Sequence, residues 1–239
     1  MVPLATLRVI LVEPENAINV GSIARAMKNF GFRRLYLVNP MFESFDRAYA
    51  AAMRARDVLE GARVVTSLEE AFEGAHVVVG TTAKPGPPGS ILRQVVPLRQ
   101  YVQSLRWDAE YALVFGREST GLTNEELTRC DVLITIPASE EYPTLNLANA
   151  VAVVLYEFRT AMDAGGMDVR PPERKTVEIM LKYLDDIIDR VDLPEHKRRR
   201  LRLMARRVIG RVFPCGLTEE ETLYALGAVR RIRDAMVGD

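Results

Sequence analysis

Residues 7–38 read LRVILVEPENAINVGSIARAMKNFGFRRLYLV, and this stretch decides the fold class. Leu7–Val12 and Arg34–Val38 are short apolar runs of the kind that form buried strands. Between them, Val20–Phe30 repeats its apolar residues at helical spacing, with Asn19 as the expected N-cap and Gly31 as the residue that ends the helix. A strand, a helix and a second strand in this order are typical of a parallel sheet. The stretch therefore predicts an α/β protein with a mostly parallel sheet.

The same alternation continues to about residue 162. Further elements are predicted as strands at Arg63–Thr66, His76–Gly80, Tyr111–Phe115 and Val132–Ile136, and as helices at Leu68–Phe72 and from about Leu145 to Met162. The last of these helices is apolar almost all round, so we expect it to be buried on two sides. Its second side then packs either inside the domain or against another subunit.

The composition changes after residue 163. The segment DAGGMDVRPP (163–172) breaks the preceding helix and is typical of a linker. Three amphipathic helical patterns and no strand follow, at about Thr176–Val191, at Pro194–Val212 with Met204 and Val208 facing inward, and from Thr218, whose spacing to Glu221 indicates a capping box. We therefore expect an α/β domain at 1–163, a linker at 164–175 and a small helical domain at 176–239.

Charge and cysteine content exclude several classes of protein. The 32 Lys and Arg balance the 32 Asp and Glu, so the net charge gives no argument for nucleic acid and only local clusters can. Cys130 and Cys215 are the only cysteines and there are two histidines, which argues against a metal site of thiolates or imidazoles. No apolar run is long enough to span a bilayer. We expect a cytoplasmic protein without a metal or a membrane segment.

Three polar clusters follow predicted strands. Arg25 stands on the first helix near the carboxyl edge of the sheet, where open α/β folds bind ligands, although a solvated surface arginine fits the spacing too. The second cluster, VFGRESTGL (114–122), has glycines that allow a close approach of the backbone to a ligand or simply form a turn. The third is TLNLANAV (144–151), in which Thr144 is a candidate helix cap. The chain has no G-x-G-x-x-G or Walker motif, which disfavours a nicotinamide-dependent dehydrogenase.

Taken together, the clusters resemble the signature motifs of the SPOUT superfamily, in its TrmH-like (SpoU) branch, and most closely the TrmJ-type tRNA 2′-O-methyltransferases. The resemblance covers about residues 7–160 and rests on N-x-G-S-I-A-R-A-M-K-N-F-G, on F-G-x-E-x-x-G-L and on L-N-L-A-x-A-V after a strand that ends in I-P. It implies a domain with a C-terminal trefoil knot, S-adenosylmethionine as methyl donor, tRNA as substrate and a homodimer formed through the 145–162 helix.

The resemblance also assigns residues. By position, the backbone groups that hold the methyl donor are those of Thr81, Thr82, Gly116, Gly121, Ile136 and Leu145. Arg25 matches the arginine beside the reacting ribose hydroxyl, and the residues that order this site are Asn19, Glu118, Thr144 and Asn146, with Thr144 standing where many relatives carry serine. Since the guanidinium of arginine has a pKa above about 12, two roles stay open for Arg25. It acts as a base after losing its proton, or it stays charged and stabilises the developing alkoxide.

A basic run in the second C-terminal helix provides candidate RNA contacts. The residues proposed for phosphate binding are Arg198, Arg199, Arg202 and Arg206. The alternative is a solvated helix face balanced by the aspartates at 185–192. By analogy with the TrmJ-type enzymes, the expected target is nucleotide 32 in the anticodon loop. Three alternatives remain. The enzyme methylates another RNA such as rRNA, it methylates a base atom instead of a ribose, or the chain is a non-catalytic RNA-binding protein that retains the knot. The Lys84–Ser90 stretch is either a mobile loop over the site or an ordered turn.

Overall fold

The computed structural model describes residues 7–87, 90–103, 105, 109–163, 172–212 and 218–237. Within these residues, the strands are β1 (Leu7–Val12), β2 (Arg34–Val38), β3 (Arg63–Val65), β4 (Val77–Thr81), β5 (Val96–Pro97), β6 (Tyr111–Phe115) and β7 (Val132–Thr135). The helices are α1 (Ala17–Asn29), α2 (Asp46–Ala52), α3 (Arg56–Glu60), α4 (Leu68–Phe72), α5 (Leu98–Val102), α6 (Asn124–Arg129), α7 (Leu147–Asp163), α8 (Arg174–Arg190), α9 (Glu195–Val212) and α10 (Glu219–Val237).

The strands form one parallel sheet in the order β3-β2-β1-β6-β4-β7-β5. The α/β class and the parallel sheet predicted from the sequence are confirmed. Because all strands run in one direction, their carboxyl ends meet at a single edge. The segments that follow β1, β6, β4 and β7 are therefore neighbours, although they are far apart in the chain.

Helices cover both faces of the sheet, which requires the strands to be apolar on both sides. All six residues of β1 are buried. Val9 and Leu11 face one core with α1, α2, α5 and α7, while Ile10 and Val12 face the other with α4 and α6. The long helix α7 packs one side into the first core, and Tyr156 on its outer side is 53% exposed.

The helix caps differ from the sequence prediction at two positions. Asn16, not Asn19, caps α1, because the helix begins three residues earlier than predicted and the Asn16 side chain accepts from the N–H of Ile18 at 2.9 Å. Asn146, not Thr144, caps α7, since its side-chain oxygen accepts from the N–H groups of residues 148 and 149. Gly31 ends α1 with a φ of 82°, as predicted.

The C-terminal helices share a small core of their own. Val177, Met180 and Leu181 of α8 pack against Ile209 of α9 and Leu226 of α10. The capping box of α10 is confirmed, because Thr218 and Glu221 exchange hydrogen bonds of 2.7 and 3.1 Å. Residues 164–171 of the predicted linker lie outside the described residues, and residues 174 and 175 already belong to α8.

The prediction that Met204 and Val208 face inward is wrong. These side chains are 43% and 44% exposed, whereas Arg207 is 2% exposed. Arg207 donates from Nη1 to the carbonyl of Cys130 and from Nη2 to the carbonyl of Leu127, both at 2.9 Å. The helix turns its arginine inward because α6 ends here and its last carbonyls need hydrogen-bond donors.

Asp131 connects the C-terminal helices α8 and α9, which we call the helical tail, to the sheet. Its carboxylate is 3% exposed and accepts from the N–H of Val78 at 2.9 Å in β4. The same carboxylate accepts from Arg174 of α8 at 2.5 Å and from Arg206 of α9 at 3.3 Å. Charges taken out of water are tolerated only when they are paired and hydrogen-bonded, so each partner depends on the others.

We expect Asp131→Ala to lower the free energy of unfolding by about 3–5 kcal/mol, because it removes the buried carboxylate that pairs with Arg174 and Arg206 and leaves Arg174 only the exposed Glu178 as an acidic partner. Urea denaturation of the whole chain measures this. Asp189→Ala is the matched control, since Asp189 is about half exposed and pairs with Arg202 at the surface. That variant should cost no more than about 1 kcal/mol. Equal losses in the two variants would show that Asp131 does not hold the tail.

Candidate active site

The candidate site lies at the carboxyl edge of the sheet, where the three sequence clusters converge. Glu118, in the loop after β6, accepts from the backbone N–H of Glu15 at 2.8 Å and of Asn16 at 3.2 Å. It also accepts from the Asn19 amide at 2.9 Å. The Asn146 amide donates in turn to the Asn19 oxygen at 3.2 Å. A carboxylate suits this place because it accepts from two backbone N–H groups directly before α1, at the end of the helix where the dipole favours negative charge.

This network brings together three residues that the resemblance assigned to one site. Asn19 and Glu118 are 99 positions apart in the chain, and Asn146 is 127 positions from Asn19. In a second link the acceptor lies before α1 and the donor lies in the loop after β6, since Glu15 accepts from the N–H of Ser119 at 3.1 Å. The start of α1, the loop after β6 and the start of α7 are therefore held as one unit.

Arg25 and Thr144 stand apart from this network. Arg25 is exposed on α1, and its guanidinium makes no hydrogen bond or ion pair with the residues that the structure describes. Thr144 is exposed in the loop before α7 and likewise has no hydrogen-bond partner among them. All donors of the Arg25 guanidinium thus remain free for a substrate atom.

The loop after β6 is shaped by its two glycines. A Cβ on Gly116 would lie 2.1 Å from the carbonyl carbon of Gly121, so only glycine fits there. Gly121 has a φ of 71° and donates to the carbonyl of Arg117 at 2.9 Å. The loop therefore closes on itself. A Cβ on Gly121 would meet nothing within 4 Å, so that residue borders open space.

Arg117 was missed as a site residue, although it clamps this loop. It pairs with Glu13 after β1 at 2.8 Å and with Glu126 of α6 at 3.0 Å. Hydrogen bonds that Arg117 donates to the carboxylates of Glu126 and Glu13 raise the pKa of Arg117 against the effect of burial. Burial opposes ionisation of Glu126, but Arg117 outweighs it and lowers the pKa of that carboxyl. The available signal was the Thr123–Glu126 spacing, which forms a capping box at the start of α6.

The residues assigned to the methyl donor follow neighbouring strands. Thr81 ends β4 and its hydroxyl donates to the carbonyl of Val114 in β6 at 3.0 Å. The N–H of Thr82 donates to the carbonyl of Ile134 in β7 at 3.1 Å. Ile136 and Leu145 are half-buried after β7. The Thr81 side chain is thus occupied in the fold, which leaves backbone groups and apolar surfaces for a ligand.

A groove of about 880 Å³ opens beside the network. One wall is formed by the start of α1 together with Glu118 and Asn146, and the other by the segment that connects β2 to α2 together with the first residues of α2. Phe42 and Arg47 are on that second wall. The groove has room for a nucleotide next to the helix that carries Arg25.

The four predicted RNA-binding arginines differ in their surroundings. Arg198 and Arg202 both pair with Asp189, and Arg206 pairs with Asp131. Arg199 is exposed and has no ion pair with the residues that the structure describes. The aspartates of α8 thus balance much of the basic face of α9.

Other kinds of chemistry find no support in the described part of the chain. No group of three or more His, Cys, Asp or Glu is placed to hold a metal ion there. Burial raises the pKa of the Cys130 thiol to about 12, so this thiol stays protonated at neutral pH. Across the same residues, no helix combines the length and the apolarity that crossing a membrane needs.

Comparisons with known proteins identify relatives. An archaeal protein, the tRNA (cytidine-2′-O-)-methyltransferase TrmJ of Methanocaldococcus jannaschii, is 35% identical over 213 residues, which are 87% of this chain and 93% of that protein. The tRNA (cytidine/uridine-2′-O-)-methyltransferase TrmJ of Pectobacterium atrosepticum is 46% identical over 162 residues, 66% of each chain. The crystal structure of TrmJ from Z. mobilis ZM4 superposes with a TM-score of 0.73 at 27% identity, covering 95% of this chain and 99% of that one.

The family model of the SpoU rRNA methylases matches residues 6–156. That range contains β1 to β7 and the whole network of Asn19, Glu118 and Asn146. The resemblance noted in the sequence is confirmed, and the chain belongs to the SpoU rRNA methylase family.

Proposed function

We propose that the chain transfers a methyl group from S-adenosylmethionine to a ribose 2′-hydroxyl of tRNA. The observation that carries this proposal is the network of Asn19, Glu118 and Asn146, which joins three distant motifs at the carboxyl edge of the sheet. The activities of the two TrmJ relatives, both tRNA 2′-O-methyltransferases, support ribose methylation of tRNA as the reaction.

The residues at the edge fit S-adenosylmethionine. Half-buried Ile136 and Leu145 offer apolar surface for an adenine ring, and Gly121 borders open space that a ligand can enter. With the Thr81 hydroxyl and the N–H groups of Thr82 and Gly121 occupied in the fold, recognition falls to the remaining backbone groups of Thr81, Thr82, Gly116 and Gly121. When bound, the donor supplies an electrophilic sulfonium methyl group, and the protein has to align the acceptor oxygen and manage one proton.

Arg25 contacts the 2′-hydroxyl in this mechanism. Its guanidinium has no partner among the described residues, so it can hydrogen-bond the ribose oxygen and stabilise the negative charge that develops there. The alternative role as a base stays open. Asn19, Glu118 and Asn146 fix the start of α1 against the start of α7, and thereby position the helix that carries Arg25. Thr144 lies two residues before Asn146 and is free to bond the substrate.

A homodimer through α7 completes the site in this proposal. One side of α7 is buried in the core, while Tyr156 on the other side is exposed and contacts the ring of Phe30 at the end of α1. Ile18, also on α1, is 47% exposed. Covering this surface with a second copy would bring Arg25 of one protomer toward the donor loops of its partner. Sedimentation as a monomer at micromolar concentration would count against the dimer.

The proposal also includes which arginines contact the RNA and which nucleotide is methylated. Arg199 has no ion pair with the described residues, whereas Arg198, Arg202 and Arg206 would have to exchange their carboxylate partners for phosphates. The target is nucleotide 32 of the anticodon loop, and the enzyme works in the cytoplasm on tRNA. The trefoil knot of the 1–163 domain stays a prediction.

Transcripts of tRNA with single 2′-deoxy substitutions test the target. We expect methyl incorporation from radiolabelled donor into the all-ribose transcript and none when nucleotide 32 lacks its 2′-hydroxyl. A 2′-deoxy substitution at nucleotide 38, across the same loop, is the control and should leave incorporation intact. Loss at another position would relocate the target, and methylation of rRNA fragments alone would favour the alternative substrate. A chain that binds tRNA but no donor would be a non-catalytic RNA-binding protein.

A further inference from the structure

Arg93 connects the two loops that border the proposed donor site. It lies between the loop after β4 and the short strand β5, and it is half-buried. Its Nη2 donates to the side-chain oxygen of Asn124 at 2.9 Å. Its Nη1 donates to the hydroxyl of Thr82 and to the carbonyl of Lys84, both at 3.4 Å. One guanidinium thus bonds two segments that are about 40 residues apart.

The segments that it bonds are those on which donor binding depends. Thr82 and Lys84 belong to the loop after β4. Asn124 is the first residue of α6 and follows directly on the glycine loop after β6. The backbone of Arg93 adds a further link, because its carbonyl accepts from the N–H of Gly86 at 3.0 Å. Residues 88 and 89 of the Lys84–Ser90 stretch lie outside the described residues, so the choice between a mobile loop and an ordered turn stays a prediction.

Helix α9 of the helical tail contacts the residue next to Arg93. Leu92, the preceding residue, accepts through its carbonyl from Nη2 of Arg207 in α9 at 3.3 Å. Since Arg207 also bonds Leu127 and Cys130, the position of residue 92 is tied to that of α6. Arg93 is therefore held at a fixed place relative to both loops.

We propose that Arg93 is a positioning residue of the methyl-donor site, which fixes the loop after β4 against the start of α6. The inference rests on the proposed function. Without this guanidinium the loop gains conformational freedom that donor binding then has to remove, so the affinity for the donor falls. The group that receives the methyl is held elsewhere, by α1. Loss of the Arg93 guanidinium should therefore raise the KM for the donor and leave kcat nearly unchanged.

Calorimetry with S-adenosylmethionine and steady-state methylation of tRNA test this role. We expect Arg93→Ala to raise the Kd and the KM for the donor about tenfold, with kcat at saturating donor within about twofold of wild type. Arg93→Lys keeps the charge but reaches fewer partners, so it should recover part of the affinity. Arg129→Ala is the matched control. Arg129 lies at the far end of α6, pairs with Glu69 and Glu125, and should leave the donor Kd unchanged.

A double-mutant cycle with Asn124 separates positioning from general damage. Asn124→Asp keeps the acceptor oxygen and should bind the donor like wild type, whereas Asn124→Ala should weaken binding in the same direction as Arg93→Ala. The double variant should lose less than the product of the single losses, because both remove one interaction. The comparison of Asn124→Ala with Asn124→Asp does not use the Arg93 variant, so it still decides the question if Arg93→Ala fails to fold.

Two outcomes would overturn the inference: a donor Kd for Arg93→Ala within twofold of wild type, or equal Kd values for Asn124→Ala and Asn124→Asp. Both presuppose that the wild-type chain binds the donor and methylates tRNA. A wild-type chain that binds no donor would instead refute the proposed function, so the two failures are distinguishable.

Discussion

Arg25→Ala is expected to lower the rate of methyl transfer to tRNA by at least about 10²–10³-fold while the Kd for S-adenosylmethionine stays unchanged. The size follows from the loss of a donor that stabilises charge developing on the reacting oxygen. Arg25 makes no hydrogen bond or ion pair with the described residues, which include those assigned to the donor, so its removal should not disturb the donor loops. Single-turnover methylation and calorimetry on the same preparation measure the two quantities.

Arg190→Ala is the matched control for this prediction. Arg190 is an exposed arginine at the end of α8 that bonds only the carbonyl of Asp186 among the described residues, so its removal should change neither quantity. Arg25→Lys then separates the two roles left open. Partial activity that is insensitive to pH below 9 would favour charge stabilisation, and activity that rises with pH would favour a base. Wild-type turnover in Arg25→Ala would remove Arg25 from the mechanism.

Gly116→Ala should lower the free energy of unfolding by about 3 kcal/mol or more and abolish donor binding. A Cβ at this position would overlap the backbone of Gly121 and the nitrogen of Leu122, at 2.1 and 2.3 Å. Backbone atoms cannot move aside as a flexible side chain can, so the cost lies at or above the upper end for overpacking in a core. Urea denaturation and calorimetry with the donor check both parts.

Gly227→Ala gives the contrasting result. Gly227 is exposed within α10, and a Cβ there would meet nothing within 4 Å. Because alanine favours a helix over glycine by up to about 1 kcal/mol, this variant should be as stable as wild type or slightly more so. If Gly116→Ala unfolded at the same urea concentration as Gly227→Ala, the tight closure of the loop after β6 would be contradicted.

The sequence predicted several strongly patterned elements well. β1, β2 and β6 have the predicted bounds because each is a dense apolar run of five or six residues, and the predicted helix at Leu68–Phe72 is found as α4. It did not predict α2, α3, α5 and α6. Each of these helices has only five to seven residues, which span less than two helical turns, so a helical period is hard to recognise and the surrounding fold decides their conformation. α4 is equally short and was nevertheless predicted.

The site was predictable in its members but not in its contacts. Resemblance placed Asn19, Glu118 and Asn146 in one site, yet no local pattern indicates that Glu118 bonds the backbone before α1. The same limit explains α9. The helical period of α9 predicted that Met204 and Val208 face inward. Instead, Arg207 is buried between α9 and α6, because it donates hydrogen bonds to the carbonyls at the end of α6. Such preferences depend on hydrogen-bond partners that are distant in the chain.

Nucleoside analysis tests the central claim most directly. The purified chain is incubated with unmodified tRNA and S-adenosylmethionine, and the RNA is digested and examined by mass spectrometry. We predict a 2′-O-methylated nucleoside that appears with the wild-type chain and is missing with Arg25→Ala, together with no methylated base. Absence of ribose methylation under conditions in which the donor binds, or methylation of a base atom instead, would contradict the account.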